Sequence, residues 1–125
     1  MRPLEIQQHH DGFGLNDKHI IQADPRDPKA GNASHRYEVV DDTDGDVPAT
    51  IWFQHGPRGE PGSESGVLDA SILAILIDRY EGFQSGPFAC SENEVVLGHL
   101  RGALAGMKAH AIDRSRRGVL GTSKT

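Results

Sequence analysis

Gly82-Phe83-Gln84-Ser85-Gly86-Pro87-Phe88-Ala89-Cys90-Ser91-Glu92-Asn93 decides the fold. The run sits between two segments with helical periodicity and supplies a stop, a tight link and a start. Before it, Ile72, Leu73, Leu76, Ile77, Tyr80 and Phe83 recur at three- and four-residue spacing. That is the apolar stripe of an amphipathic helix beginning near Val67. Gly82 weakens this helix and Gly86-Pro87 ends it. After the run, Ser91 and Glu94 have the spacing of a capping box. Val96, Leu100, Leu104, Met107 and Ala111 then mark one side of a second helix that stops at Gly118. The expectation is a helical hairpin.

The second helix carries Gly98, Gly102 and Gly106 at four-residue spacing. Each costs about 1 kcal/mol relative to alanine in a helix interior, so the three together cost roughly 3 kcal/mol. That is a large part of a small domain's stability. Close backbone approach to the first helix or to another subunit would compensate. A frayed helix is the alternative. Cap and stop bracket the same segment, which favours packing. A helix with contact surfaces on opposite sides points to a homo-oligomer.

Working toward the N-terminus, Gly56 to Gly66 reads as a loop. His19–Ala23, Arg36–Asp41 and Thr50–Gln54 read as strands, the last two joined through Asp42-Thr43-Asp44-Gly45-Asp46 with its Asp-Gly turn signal. Asp24 to Ser34 is a loop rich in turn formers. Residues 1–17 read as a polar, irregular lead-in. The fold class is α+β: a small antiparallel sheet within residues 1–66, then a two-helix hairpin with a basic tail over 67–125, together one compact domain.

The chain has 125 residues, 36% apolar and 25% charged, with 15 glycines and 7 prolines. Mean hydropathy is −0.50. One modest core is possible, and a partner copy would help bury enough surface. No apolar run approaches the ~20 residues of a membrane span. Met1 to His10 lacks the apolar core of a signal peptide. Cys90 is the sole cysteine, which excludes an internal disulfide and suits a reducing cytoplasm.

The net charge of −5 argues against a general DNA or RNA binder. Charge is unevenly spread, however. Glu38, Asp41, Asp42, Asp44 and Asp46 form an acidic block, whereas Lys108, Arg114, Arg116, Arg117 and Lys124 face only Asp113 after residue 107. The basic end either binds a small anion or is a solvated helix terminus complementing the dipole.

Catalytic and metal patterns are weak. The seven histidines show no helical i, i+4 zinc spacing, and no cysteine pair exists. Asp42-Thr43-Asp44-Gly45 breaks the calcium-loop pattern after four positions. His10-Asp11-Gly12-Phe13-Gly14 follows no strand, which weakens it as a phosphate motif. Cys90 precedes a helix without a histidine partner, and burial as a structural cysteine is the favoured reading. The expectation is no catalytic set, no metal and no cofactor. His110, Arg114 and Arg117 share a face of a regular helix at i, i+4, i+7, and arginine grips phosphate and stacks on purines. With Phe83 and Asn93 they supply the parts of a nucleotide pocket. The plainer reading is core for Phe83, capping support for Asn93 and an Asp113–Arg117 pair. Asn93 and Arg114 are separated by about 30 Å of helix, so the pocket requires an antiparallel neighbour.

Three segments carry a family resemblance: Ile51-Trp52-Phe53-Gln54-His55-Gly56-Pro57; Ala74 through Asn93, ending Phe-Gln-Ser-Gly-Pro-Phe-Ala-Cys-Ser-Glu-Asn; and Asp113-Arg114-Ser115-Arg116-Arg117-Gly118-Val119-Leu120-Gly121-Thr122-Ser123. From about residue 10 to 123 the chain resembles phage Thoeris anti-defence proteins of the first type, which share a helical-hairpin domain with phage anti-CBASS proteins. The resemblance implies a sponge that holds immune cyclic nucleotides intact in the host bacterial cytoplasm. The implied ligands are glycocyclic ADP-ribose isomers from TIR-domain enzymes and cyclic di- or trinucleotides from CBASS synthases. It also implies dimers assembling into hexamers, with the ligand at the subunit interface. By position, Phe83 resembles the adenine-stacking aromatic and Asn93 the polar pocket residue. Arg114, Arg117, Gly118 and Thr122 match the terminal motif. His110 stands where many members carry arginine, and Ser123 replaces a common histidine. Arg58 is a candidate for a second site. Two other functions stay open: a phosphodiesterase or glycohydrolase acting on the same signals, and a protein–protein adaptor.

Overall fold

A computed structural model describes residues 1–4, 18–55 and 61–118. It is α+β, and the described residues fall into two compact units. One carries the strands and extends to Gly66. The other takes in Pro61 and the residues from Val67 on, and carries both long helices.

The strand unit is a four-stranded antiparallel sheet in sequential order: β1 Arg2–Pro3, β2 His19–Ala23, β3 Arg36–Asp41 and β4 Ala49–Trp52. β2 and β3 match the expected strands, and β4 lies slightly N-terminal to its expected bounds. β1 corrects the reading of an irregular lead-in. Arg2 pairs with Ala23 and Pro3 with Gln22. The Leu4 amide donates to the Ile21 carbonyl (2.9 Å), and the Arg2 guanidinium donates to Ser34 Oγ (2.7 Å). Proline is tolerated because β1 is an edge strand.

The β3–β4 turn follows from its composition. Gly45 adopts a φ of 78°, which costs a glycine little. Its amide donates to the Asp41 carbonyl (2.8 Å), and the Asp46 amide donates to Asp44 Oδ1 (2.9 Å). Aspartate thus acts here as a turn former, bonding its own backbone two residues on.

Two features anchor the loops. Asp24 Oδ1 accepts from the amides of His35 (2.9 Å) and Arg36 (3.2 Å), pinning the 24–34 loop to the start of β3. Burial opposes ionisation of Asp24, but these two donations outweigh it and hold its carboxyl below the ordinary value. Gly66 packs on the end of β4. A Cβ there would stand 2.6 Å from the Trp52 carbonyl oxygen and collide with the Phe53 carbonyl.

In the helical unit, α1 spans Asp69–Gln84 and α2 spans Ser91–Arg116. α1 thus starts later than expected, with Leu68 at its N-cap. Gln84 near the end of α1 bonds Glu94 near the start of α2, and Glu81 pairs with Arg101 (3.2 Å), so the helices run antiparallel. The expected capping box does not form. Ser91 is the first helical residue, its hydroxyl meets Glu92, and Glu94 accepts from Gln84 instead. At the far end Gly118 takes a φ of 73° and its amide donates to the Ser115 carbonyl (3.1 Å), a glycine stop as the sequence indicates.

The core is thin. Among the described residues only Ala23 and Leu97 are buried apolar side chains, Leu97 at 2% exposure. Leu97 was absent from the expected apolar side, and Met107, which was included, is exposed. The half-buried positions Asn93, Val96, Leu100, Leu104, Ala111 and Arg114 flank the face that Leu97 defines.

Replacing Gly66 with alanine should force the carbonyls of residues 52 and 53 to shift, at about 1–3 kcal/mol. Thermal melts followed by circular dichroism should show a transition several degrees lower. An unchanged melting temperature would contradict this close approach.

Candidate functional site at the hairpin turn

The reversal from α1 to α2 is built by side chains clamping backbone. Gln84 Oε1 accepts from the Cys90 amide (2.9 Å), while its Nε2 donates to the Cys90 carbonyl (3.0 Å) and to Glu94 Oε1 (2.8 Å). Asn93 Nδ2 donates to the Phe88 carbonyl (3.1 Å), and Ser85 Oγ donates to the Gly82 carbonyl (2.7 Å). Only an amide side chain combines the donor and acceptor that Gln84 needs here. Cys90 is exposed, which corrects its reading as a buried structural residue.

An aromatic cluster sits against this turn. Phe83 meets Tyr80 edge to face (centroids 5.5 Å, 90°) and Phe88 at 6.4 Å and 71°. Arg79 places its guanidinium carbon 5.4 Å from the centre of the Phe83 ring. Phe88 itself is 73% exposed. The turn therefore carries a half-buried aromatic, an amide and a cation together. Arg79 was not among the sequence candidates. Its signal was the i, i+4 spacing to Phe83, which places a cation over a ring on one helix face.

Electrostatically the start of α2 is acidic. Glu92 accepts its own backbone amide, with further bonds from Ser91 and Cys90, and its carboxyl is held below the ordinary value. A carboxylate there also complements the positive end of the helix dipole.

The other candidates lie at the opposite end of α2. His110 is exposed, Arg114 is half-buried, and Arg117 pairs with Asp113 (3.1 Å). The chain thus brings Phe83 and Asn93 to one end, and His110, Arg114, Arg117 and Gly118 to the other. At about 1.5 Å per residue, Asn93 and Arg114 stand roughly 30 Å apart along one helix. Arg58, Thr122 and the 10–14 run lie outside the described residues.

The glycine stripe does not face α1. Gly98, Gly102 and Gly106 are exposed, and among the described residues nothing beyond the helix's own adjacent backbone lies within 4 Å of where a Cβ on any of them would stand. They occupy the side of α2 opposite Leu97, beside Val95 at 60% exposure. This corrects the alternative in which their compensation comes from the first helix.

No protein-family model matches the sequence. A curated relative, Thoeris anti-defense 1 of Bacillus phage SBSphiJ7, is 33% identical over 120 residues, covering 96% of this chain and 70% of the relative.

Gln84→Ala should loosen the turn by removing three hydrogen bonds. Because these are exposed, the expected cost is about 1–2 kcal/mol rather than their full sum. Gln84→Glu should fare no better, since a carboxylate cannot donate to the Cys90 carbonyl and repels Glu94. Chemical denaturation reads both variants; wild-type stability in either would remove Gln84 as the clamp.

Proposed function

The chain belongs to the Thoeris anti-defense 1 family, and we propose that it blocks Thoeris signalling as a sponge, binding the cyclic nucleotide signal and holding it uncleaved. The family membership supports the Thoeris anti-defence role. The observation that carries the binding site is the grouping of Phe83, Arg79 and Asn93 at one hairpin turn.

A purine laid on Phe83 gains stacking energy of about 1–3 kcal/mol. Tyr80 and Phe88 restrain the ring's orientation, so little ordering remains to be done on binding. Asn93 offers an amide for a base edge, and Arg79 offers a fork for a phosphate oxygen. Arg114 and Arg117 add cations when a second copy packs antiparallel along α2 and brings its far end to this turn. The exposed small side of α2 supports that packing. Gly98, Gly102 and Gly106 leave room for a backbone to approach, and Val95 and Ile112 present apolar surface, 60% and 52% exposed. Glycocyclic ADP-ribose fits this set best, with a purine for the ring and a diphosphate for the cations. Cyclic di- and trinucleotides offer the same groups. Dimers, and hexamers built from them, act in the host cytoplasm under this reading. Sequestration also asks less of the site than hydrolysis does, because no proton need be moved there.

Glycocyclic ADP-ribose mixed with a molar excess of protein should vanish from the filtrate and return unchanged after heat denaturation. Recovery of a linear product would establish degradation instead, and failure to bind any cyclic nucleotide would leave an adaptor. Asn93→Trp should abolish capture while preserving assembly.

Gly102 separates a free helix from a packed one. In a free helix Gly102→Ala adds about 1 kcal/mol of stability and Gly102→Leu is harmless. At a close helix contact Gly102→Leu should split the assembly, as read by light scattering. Unchanged mass with a raised melting temperature would refute the contact.

A further inference from the structure

The 24–34 loop, the start of β3 and the residues after β4 converge on three side chains that the family reading does not use. Asp27, His35 and His55 each offer one ligand atom, and the three atoms lie within 4.8 Å of one another. All three belong to the strand unit. Their wide spacing in the chain hid them from motif reading. We propose that Asp27, His35 and His55 bind a divalent transition metal, zinc by preference, which ties the 24–34 loop to the end of β4.

Four observations carry this. The donor set, two imidazoles and one carboxylate, suits zinc rather than magnesium or calcium, which take oxygen ligands. The local chain already holds the groups in place. Asp27 caps the short 3-10 turn Pro28–Ala30 through Oδ1, which accepts from the Lys29 amide (2.9 Å), and this leaves Oδ2 for another partner. The His35 amide is held by Asp24, and His55 forms a bridge with Glu64 through two backbone bonds of 2.8 and 2.9 Å. Third, His35 Nε2 is buried without a hydrogen-bond partner among the described residues, which is costly for a ring nitrogen and is a recognised mark of an ion or water site.

The fourth observation is the second carboxylate. His55 Nε2 lies 2.8 Å from Asp27 Oδ2, and its Nδ1 lies 3.7 Å from Glu64 Oε2. When Nε2 turns its lone pair to a metal, the neutral ring carries its proton on Nδ1, which faces Glu64 Oε2 across 3.7 Å. Shortening of that contact to hydrogen-bond length would complete the carboxylate–histidine–metal arrangement that fixes ring orientation and raises ligand basicity.

The geometry needs a rearrangement in which the Asp27–His55 pair opens from 2.8 Å and wider separations within the 4.8 Å cluster close. Zinc–ligand bonds of about 2.0–2.2 Å at tetrahedral angles put donor atoms about 3.4 Å apart. The two histidine rings are stacked (centroids 4.2 Å, 15°) and must splay for both nitrogens to converge on one ion. Three protein ligands leave one position for water. A metal also suits this unit, whose only buried apolar side chain among the described residues is Ala23, because small cores gain most from such a staple.

Zinc sulfate titrated into the metal-stripped full chain should give one site per chain by calorimetry and raise the melting temperature, and EDTA should reverse both effects. Cobalt(II) should give the intense visible absorption of a tetrahedral site. His35→Ala and His55→Ala should weaken zinc binding by at least about tenfold. Asp27→Asn, which keeps an oxygen to cap the 3-10 turn, should do the same while folding normally. His99→Ala on exposed α2 and a His9→Ala/His10→Ala double variant should retain the site. No zinc uptake by the wild type, uptake unaffected in Asp27→Asn, or uptake lost in the His9/His10 variant would each overturn the proposal.

Discussion

One uninterrupted helix constrains everything this chain can do. α2 runs from Ser91 to Arg116 without a kink-forming proline, despite three interior glycines. Rigidity over that length fixes which groups can meet. Phe83, Asn93 and Arg79 stand at one end, and Arg114 and Arg117 at the other, roughly 30 Å away. No side-chain rotation spans that gap. Any small ligand gripped by both sets must lie between two copies of the chain. The same helix divides its faces between two tasks: Leu97 and its neighbours cover α1, while the glycine side stays open.

The second constraint is scarcity of core. Two apolar side chains are buried among the described residues, one in each unit. The strand unit relies instead on specific polar anchors, with Asp24 across two amides and Arg2 on Ser34. The helical unit relies on the Gln84 clamp and the Glu81–Arg101 pair, the latter exposed and worth well under 1 kcal/mol. Exposed Ile75, Val95 and Ile112 are apolar surface that a lone chain leaves to water. Under the proposed sequestration, assembly would bury this surface and build the pocket at once.

Much of the fold was legible in the sequence because its signals were local. Two strands and the hairpin turn follow from alternation and Asp-Gly, and the helix reversal follows from Gly86-Pro87. What escaped depended on tertiary contacts. β1 is two residues long and contains proline, too little for any periodic signal. The capping box failed because Glu94 found a better donor in Gln84 across the turn. Leu97 was left out of the expected apolar side, although four of that side's five residues, Val96, Leu100, Leu104 and Ala111, do flank it half-buried. Of the candidate site, Phe83 and Asn93 were singled out from their places at the two helix ends, with the family motif adding their implied roles, and the structure places both at the turn. Arg79 was missed because it precedes the motif and looks like a solvated charge. Asp27, His35 and His55 were invisible as a group, because only the sheet's pairing brings them together.

The central claim is that each binding pocket draws on two copies. Mixing two inactive variants tests it directly. Asn93→Trp blocks the turn, and Arg114→Glu inverts the charge at the far end of α2. Neither alone should capture glycocyclic ADP-ribose. Denatured together and refolded, the two variants should form mixed pairs in which one pocket joins an intact turn to an intact arginine, and capture should return. Mixed pairs that form, verified by native mass spectrometry, yet bind nothing would contradict the account.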